Sequence, residues 1–145
     1  MKKIFLDVNI LIDILDAKRP SSRQSAILFE FLVRDIKEFR LYTSCDLLTT
    51  VYYFTIKPLG QKEALSKIKK LNNVIHVIEF GNKEVAEAIE LMERNRKYTD
   101  LEDTIQYVMA RKEKCDYIIT NDKNFASGDV PVLSSQEALK ELNEK

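Results

Sequence analysis

The sequence predicts an α/β fold: a three-layer α/β/α sandwich around a mostly parallel central sheet of four to five strands. Three observations predict it. Short apolar or β-branched runs alternate with helical patterns along the whole chain, the signature of βαβ units with right-handed crossovers. The first run, Lys3–Asp7, is apolar until it meets its aspartate, as expected of a strand covered on both faces. No Pro-, Gly- or Ser-rich linker divides the 145 residues, so positions 1–145 read as one domain with a sizeable core.

The elements follow in order. After the first strand, Asn9–Leu15 continues as a short helix. AKRPSS is a polar break, and Ser21 or Ser22 can cap a helix over Arg23–Phe39 whose Ile27, Leu28, Phe31 and Leu32 share a face. RLYTS is a second strand, and CDLLTTVYYFTI reads as helix until Pro58–Gly60 interrupts it. QKEALSKIKKL is an amphipathic helix and VIHVIEF a third strand. A helix over Asn82–Arg96 lines up Val85, Ala88, Ile89 and Met92. The stretch from Tyr98 to Lys114 starts another helix with acids in its first turn, where the helix dipole favours them. DYIIT is a fourth strand, NDKNFASGD a loop, VPVL a short fifth strand, and SSQEALKELNEK a capped terminal helix.

Composition excludes several functions. With 23 basic and 23 acidic residues the formal charge is zero, which argues against a non-specific nucleic-acid coat protein. The two cysteines, Cys45 and Cys115, are far apart and fit a reducing cytoplasm better than a disulfide framework; both read as small buried hydrophobes. No apolar run approaches the roughly 20 residues of a membrane span, and no signal peptide is expected. The single histidine, His76, lies inside a strand and reads as a hydrogen-bonded strand residue, so a soft metal site and a Ser-His-Asp triad are both disfavoured. Tyr52, Tyr53 and Phe54 read as core and interface.

In open α/β sheets ligands bind beyond the carboxyl ends of the strands. Those ends carry Asp7 and Asn9, then Ser44 and Asp46, then Thr120, Asn121, Asp122 and Asn124, while the helix before the fourth strand opens with Asp100, Glu102 and Asp103. Acids gathered on one rim repel unless a cation is present. Hard oxygen donors of this kind suit Mg²⁺ or Mn²⁺. Lys57, Lys62, Lys67, Lys69 and Lys70, and separately Arg94, Arg96 and Lys97, could hold phosphates or simply be solvated helix faces. Asp100 and Glu102 could merely complement the helix dipole.

The succession FLDVNIL, YTSCDLLTTVYYF, DLEDTIQYVMA and CDYIITNDKNF resembles the PIN domain family, which includes the VapC-type toxins of bacterial toxin–antitoxin pairs. The resemblance runs from Ile4 to about Leu133. It implies a metal-dependent endoribonuclease hydrolysing RNA phosphodiester bonds with Mg²⁺ or Mn²⁺, blocked by an antitoxin protein and commonly a homodimer. Residue by residue, it places Asp7, Asp103 and Asp122 as catalytic metal ligands with Asp100 nearby, and Asn9, Ser44 and Thr120 as orienting groups. One position departs: Thr50 stands where most members carry glutamate. Asp46, four residues earlier, falls on the same helix face and is expected to replace part of that carboxylate, unless it is only a helix cap. The departure also keeps a second reading open, a catalytically degenerate PIN module that binds RNA or protein without cleaving. A phosphoaspartate enzyme of the haloacid-dehalogenase or receiver type fits less well, because Asn9 stands where the former needs a second aspartate and the latter's paired acid is absent.

Overall fold

The structure, a computed structural model, describes residues 1–35 and 37–144. Ile36, in the end of the second expected helix, and Lys145, the last residue of the terminal one, lie outside the described residues. The chain runs β1 (Lys2–Leu6), α1 (Val8–Leu15), α2 (Ser22–Arg34), β2 (Phe39–Ser44), α3 (Cys45–Leu59), α4 (Gln61–Val74), β3 (Ile75–Ile78), α5 (Asn82–Arg94), α6 (Leu101–Lys112), β4 (Tyr117–Ile119), β5 (Val132–Leu133) and α7 (Ser135–Asn143). The five strands form one sheet in the order β3-β2-β1-β4-β5, and every pairing is parallel.

Alternation along the central strands builds two cores. Phe5, Tyr42 and Ile118 face one side and pack with Ala88, Ile105, Val108 and Met109 of α5 and α6. Ile4, Leu6, Leu41 and Ile119 face the other and pack with Ile10, Leu11, Leu28, Leu32, Leu71, Ala138 and Leu142. Side chains on a strand point to opposite faces in turn, so a sheet covered on both faces needs apolar residues at every position, which is what β1 supplies. This is the expected α/β/α layering.

Strand order explains where a site can form. The chain steps outward from β1 through β2 to β3, then returns to lay β4 on the other side of β1. Crossovers therefore leave β1 and β4 toward opposite sides, and a crevice opens beyond their carboxyl ends. The pairing Leu6↔Ile119 puts Asp7 and Thr120 side by side at that crevice.

Several sequence expectations change in detail. Ile27 is 43% exposed and Ile89 44%; the buried stripes run instead through Ser25, Leu28 and Leu32 on α2 and through Glu84, Ala88 and their half-buried neighbours on α5. In both helices the true inward face is rotated, because a buried serine or a salt-bridged glutamate occupies a core-facing position that hydropathy assigns to solvent. Tyr53 (73% exposed) and Phe54 (50%) are not core; Val51 and Thr55 are buried on α3, Thr55 by returning its hydroxyl to the Val51 carbonyl. Cys115 is buried but Cys45 is exposed. His76 is exposed on the edge strand β3 and meets the Tyr42 ring edge-on rather than burying a hydrogen bond. The interruption expected at Pro58–Gly60 falls at Gly60, whose φ of +82° favours glycine, with Pro58 still in the last turn of α3.

Candidate active site at the β1–β4 crevice

Asp7 lies at the centre. It is the N-cap of α1, accepting the Val8 N–H at 2.6 Å through Oδ1, so the residue that stops the apolar strand also starts the helix. Its Oδ2 accepts from Asn9 Nδ2 at 2.8 Å and from the Thr120 hydroxyl at 2.7 Å. Asn9 Nδ2 also reaches Thr120 Oγ1 at 3.1 Å, and Thr120 Oγ1 accepts the Asp122 N–H at 3.0 Å. Asp7, Asn9 and Thr120 thus form one hydrogen-bonded unit that ties the end of β1 to the end of β4 and orients the backbone of Asp122. Burial pushes the Asp7 carboxyl above the usual carboxylate range; the Thr120 hydroxyl, the Gln106 amide and the Val8 N–H oppose the rise, and the Asp122 charge adds to it.

Asp103 enters from the start of α6. The N-cap of that helix is Asp100, whose Oδ1 accepts the Asp103 N–H at 2.9 Å, so Asp100 has a definite structural task besides its charge. Asp103 is half-buried, and its carboxyl is pushed up to about 7 by desolvation and then by the charges of Asp7, Asp100, Asp122 and Glu102. Five acids therefore share one electrostatic neighbourhood. Asp122 follows β4 in the half-buried loop start, where its Oδ1 accepts the Asn124 N–H at 2.9 Å.

Ser44 and Asp46 complete the rim on the β2 side. Ser44 is buried at the N-cap of α3, and its hydroxyl donates to Asp46 Oδ1 at 2.6 Å. Asp46 is consequently not the helix cap; it sits in the first turn as an acceptor for Ser44. Thr50 turns its hydroxyl back toward the Asp46 carbonyl at 3.4 Å, which offers nothing to the crevice.

One residue of this site, Gln106, was not singled out by the sequence, and another, Glu102, was set on the rim without being assigned to the site. Glu102 shares a field with Asp46, Asp7 and Asp100, and burial together with these charges raises its carboxyl. It is exposed in the first turn of α6, near enough to Asp46, Asp7 and Asp100 to feel their charges. Gln106, one helical turn beyond Asp103, is fully buried beside Asp7. The available signal was helix phase: Asp103 and Gln106 are three apart on one face.

Behind the crevice a second network fixes the loop. Buried Asp13 on α1 accepts from Arg19 Nε at 2.6 Å, Ser25 Oγ at 3.1 Å and Asn121 Nδ2 at 3.1 Å. Asn121 Oδ1 in turn accepts the Ser135 N–H at 2.9 Å. Beside it an open depression of about 700 Å³ runs from Ser21 and Gln24 past Thr120, Asp122 and Lys123 to Gln136. Of the basic residues before α6, Arg94 pairs with Glu90 at 3.6 Å and Lys97 donates to the Ser127 carbonyl at 2.8 Å, while Arg96 is exposed. Lys62, Lys69 and Lys70 lie exposed along α4.

This succession of acids on a five-stranded parallel sheet matches the PIN domain model over residues 4–130. The chain belongs to the PIN domain family. It is 44% identical over 142 residues to the ribonuclease VapC1 of Aquifex aeolicus, with 98% of this chain and 96% of that protein aligned. Among solved structures it is similar to Mycobacterium tuberculosis VapC20, a sarcin–ricin-loop-cleaving toxin, with a TM-score of 0.69 at 17% identity over 84% of this chain and 92% of that one. It is also similar to a chain of the DNA-bound VapBC complex of Salmonella typhimurium, with a TM-score of 0.70 at 16% identity over 93% and 99% of the two chains. At such identities these two likenesses speak for the PIN fold, while the family model and the VapC1 relative place the chain in its family.

The donors at the PIN crevice are all hard oxygens. Among the described residues, no three His, Cys, Asp or Glu side chains already stand together as a ready coordination shell. Such a rim fits a hydrated divalent cation, which needs few direct protein ligands and keeps several waters.

Proposed function

We propose that this PIN domain is a divalent-metal-dependent endoribonuclease, the toxin of a toxin–antitoxin pair, acting as one domain over residues 1–145. The observation that carries the reading is the convergence of acids on the β1–β4 crevice, where Thr120 bonds Asp7 at 2.7 Å and the Asp122 N–H at 3.0 Å; the crowding that pushes the nearby Asp103 carboxyl up to about 7 is what a cation relieves. The relationship to ribonuclease VapC1 supports the choice of RNA.

In this reading Asp7, Asp103 and Asp122 hold Mg²⁺ or Mn²⁺, directly or through water, with Asp100 adding charge at the rim. When bound, the cation supplies Lewis-acid neutralisation of the phosphate and a water of lowered pKa. The chain's own groups do the rest. Thr120 and Asn9 fix the Asp7 carboxylate, so its orientation is set before substrate arrives. Asp103, carrying a proton near neutral pH without metal, gives it up when the cation binds. Ser44 holds Asp46, and Asp46 with Glu102 supplies the negative charge that Thr50 does not. The depression beside Asp122, with Lys123 and the amides of Gln24 and Gln136, offers room and hydrogen bonds for the RNA strand.

Partners follow from the same reading. A small antitoxin protein blocks the acidic crevice, and a second copy of the chain forms a homodimer; exposed Tyr53, Phe54 and Leu65 on α3 and α4 are apolar surface for protein contacts. Among the described residues no helix is long and apolar enough to cross a membrane. A reducing cytoplasm suits an exposed thiol at Cys45.

The test is cleavage of a mixed RNA pool by antitoxin-free protein with Mn²⁺ or Mg²⁺ against EDTA, alongside Asp103→Asn. Metal-dependent products that disappear in the variant are expected. The Thr50 departure favours one rival, a degenerate module that binds RNA without cutting; RNA retained on the protein with equal background from both chains would establish it instead. Asp46→Ala separately tests the replacement of the missing glutamate: Mn²⁺ affinity should fall, and an unchanged value removes Asp46 from the site.

A further inference from the structure

Among the described residues, Gln106 holds the only buried side-chain nitrogen and oxygen without a hydrogen-bond partner. The residue is 0% exposed, and it sits one turn beyond Asp103 on α6, beside Asp7. Its sequence neighbours on the helix, Ile105, Tyr107, Val108 and Met109, are packed in the core. A carboxamide left unpaired in such surroundings is strongly unfavourable, and a methionine or leucine would fill much the same volume without that penalty. Neither end of the amide completes a hydrogen bond: its nitrogen lies beside the Asp7 carboxyl, and its oxygen has no donor within the protein. The missing partner must be small, must donate to the oxygen, and must fit beside Asp7. Water held by a cation suits the oxygen, because Mg²⁺ and Mn²⁺ keep most of their hydration shell and polarise those waters as donors, while the nitrogen has the Asp7 carboxylate beside it.

We infer that Gln106 is a positioning residue for the cation's hydration shell, its buried carboxamide hydrogen-bonding waters held between Asp7 and Asp103 when the site is loaded. The inference rests on the metal-dependent reading above and goes beyond it by assigning a role to a neutral residue outside the acid set. It also explains why α6 brings a polar side chain to a core position directly beneath its first turn.

The experiment is calorimetric titration of Mn²⁺ into metal-free wild type, Gln106→Met, Gln106→Leu and Asp103→Asn, with each variant melted in EDTA. In the Gln106 variants Mn²⁺ binding should weaken by roughly tenfold or more, the range typical of outer-sphere partners of metal ligands. Their melting temperature in EDTA should equal or exceed that of the wild type, because the unpaired amide is gone. Mn²⁺ affinity within twofold of wild type overturns the inference, whatever the melting temperature does. A fall in both quantities, or failure of both variants to fold, also overturns it, because Gln106 would then be holding the fold. Absence of Mn²⁺ binding by the wild type is a different failure: it removes the metal-dependent reading itself, and this inference with it.

Discussion

A carboxyl held near a pKa of 7 by burial and by four neighbouring acids stores repulsion in the metal-free protein, and Asp103 is that carboxyl. Its folded-state value lies above the unfolded one, so between about pH 4 and about pH 7 the native state keeps a proton that the unfolded chain has lost. Stability therefore falls as pH rises through that window, and the raised Asp7 carboxyl acts in the same sense. In EDTA the wild type should melt higher at about pH 5.5 than at about pH 8. Asp103→Asn should narrow that gap and raise the melting temperature at the alkaline end, while lowering RNA cleavage by more than ~100-fold. Scanning calorimetry at both pH values, paired with a cleavage assay, checks both halves. Thr120→Val tests the neighbouring bond: it removes the hydroxyl that donates to Asp7 Oδ2 at 2.7 Å, and it should cost about 1–3 kcal/mol by urea unfolding and roughly 10- to 100-fold in activity. At this scale the sequence revealed the acids through their positions after strands, because strand ends are easy to place. It set Glu102 on the rim but left it between the site and the helix dipole, because its direction depends on the phase of α6, and it did not reveal Gln106, because a buried polar amide runs against hydropathy.

At the scale of elements, the loop between β4 and β5 must carry Asp122 without secondary structure of its own, and α6 holds it down. Tyr107 donates its hydroxyl to Asp129 at 2.6 Å and packs against Tyr98, while Lys97 donates to the Ser127 carbonyl at 2.8 Å. Gly128 passes so close that an added Cβ would lie 2.5 Å from Tyr107 Oη. Gly128→Ala should therefore displace the tyrosine or the loop, destabilising the protein by about 1–3 kcal/mol, as overpacking does. Tyr107→Phe, which keeps the ring and loses the hydroxyl's bonds to the Asp129 carboxylate and N–H, should cost about 1–2 kcal/mol, and urea denaturation of the pair separates crowding from hydrogen bonding. Helix existence was legible throughout from apolar spacing and caps, including the Ser134–Glu137 capping box of α7. Helix faces were less legible. Ser25 is buried because Asp13 and Asn121 give its hydroxyl partners, and Glu84 because its carboxylate accepts the Gly81 N–H and lies 3.6 Å from Lys112. Those partners come from distant parts of the chain or from helix-end geometry, and a local pattern cannot register them.

For the whole molecule, topology gathers what the sequence scatters. Asp7, Asp103 and Asp122 are spread over most of the chain, yet the return of β4 to the free side of β1 sets them around one crevice. The strand pattern made this arrangement foreseeable, since parallel strands end on one edge; the missing acid at Thr50 was foreseeable too, but its consequence for the assembled site was not. An assembly of like charges should couple cation binding to global stability. A cation bound only by the folded state at ~100 times its dissociation constant adds about 2.7 kcal/mol, which for a chain of this size is about 5–10 °C in melting temperature. The coupling should depend on pH with a definite sign. Below about 7 the cation must displace the Asp103 proton, and above it the carboxylate is already ionised, so at fixed Mn²⁺ the melting shift should be larger at about pH 8 than at about pH 6. Excess EDTA should reverse the shift, and Asp103→Asn should reduce its pH dependence, leaving the smaller part due to Asp7. A shift of equal size at both pH values would mean that the cation binds away from Asp103, and the crevice would lose its claim to the metal.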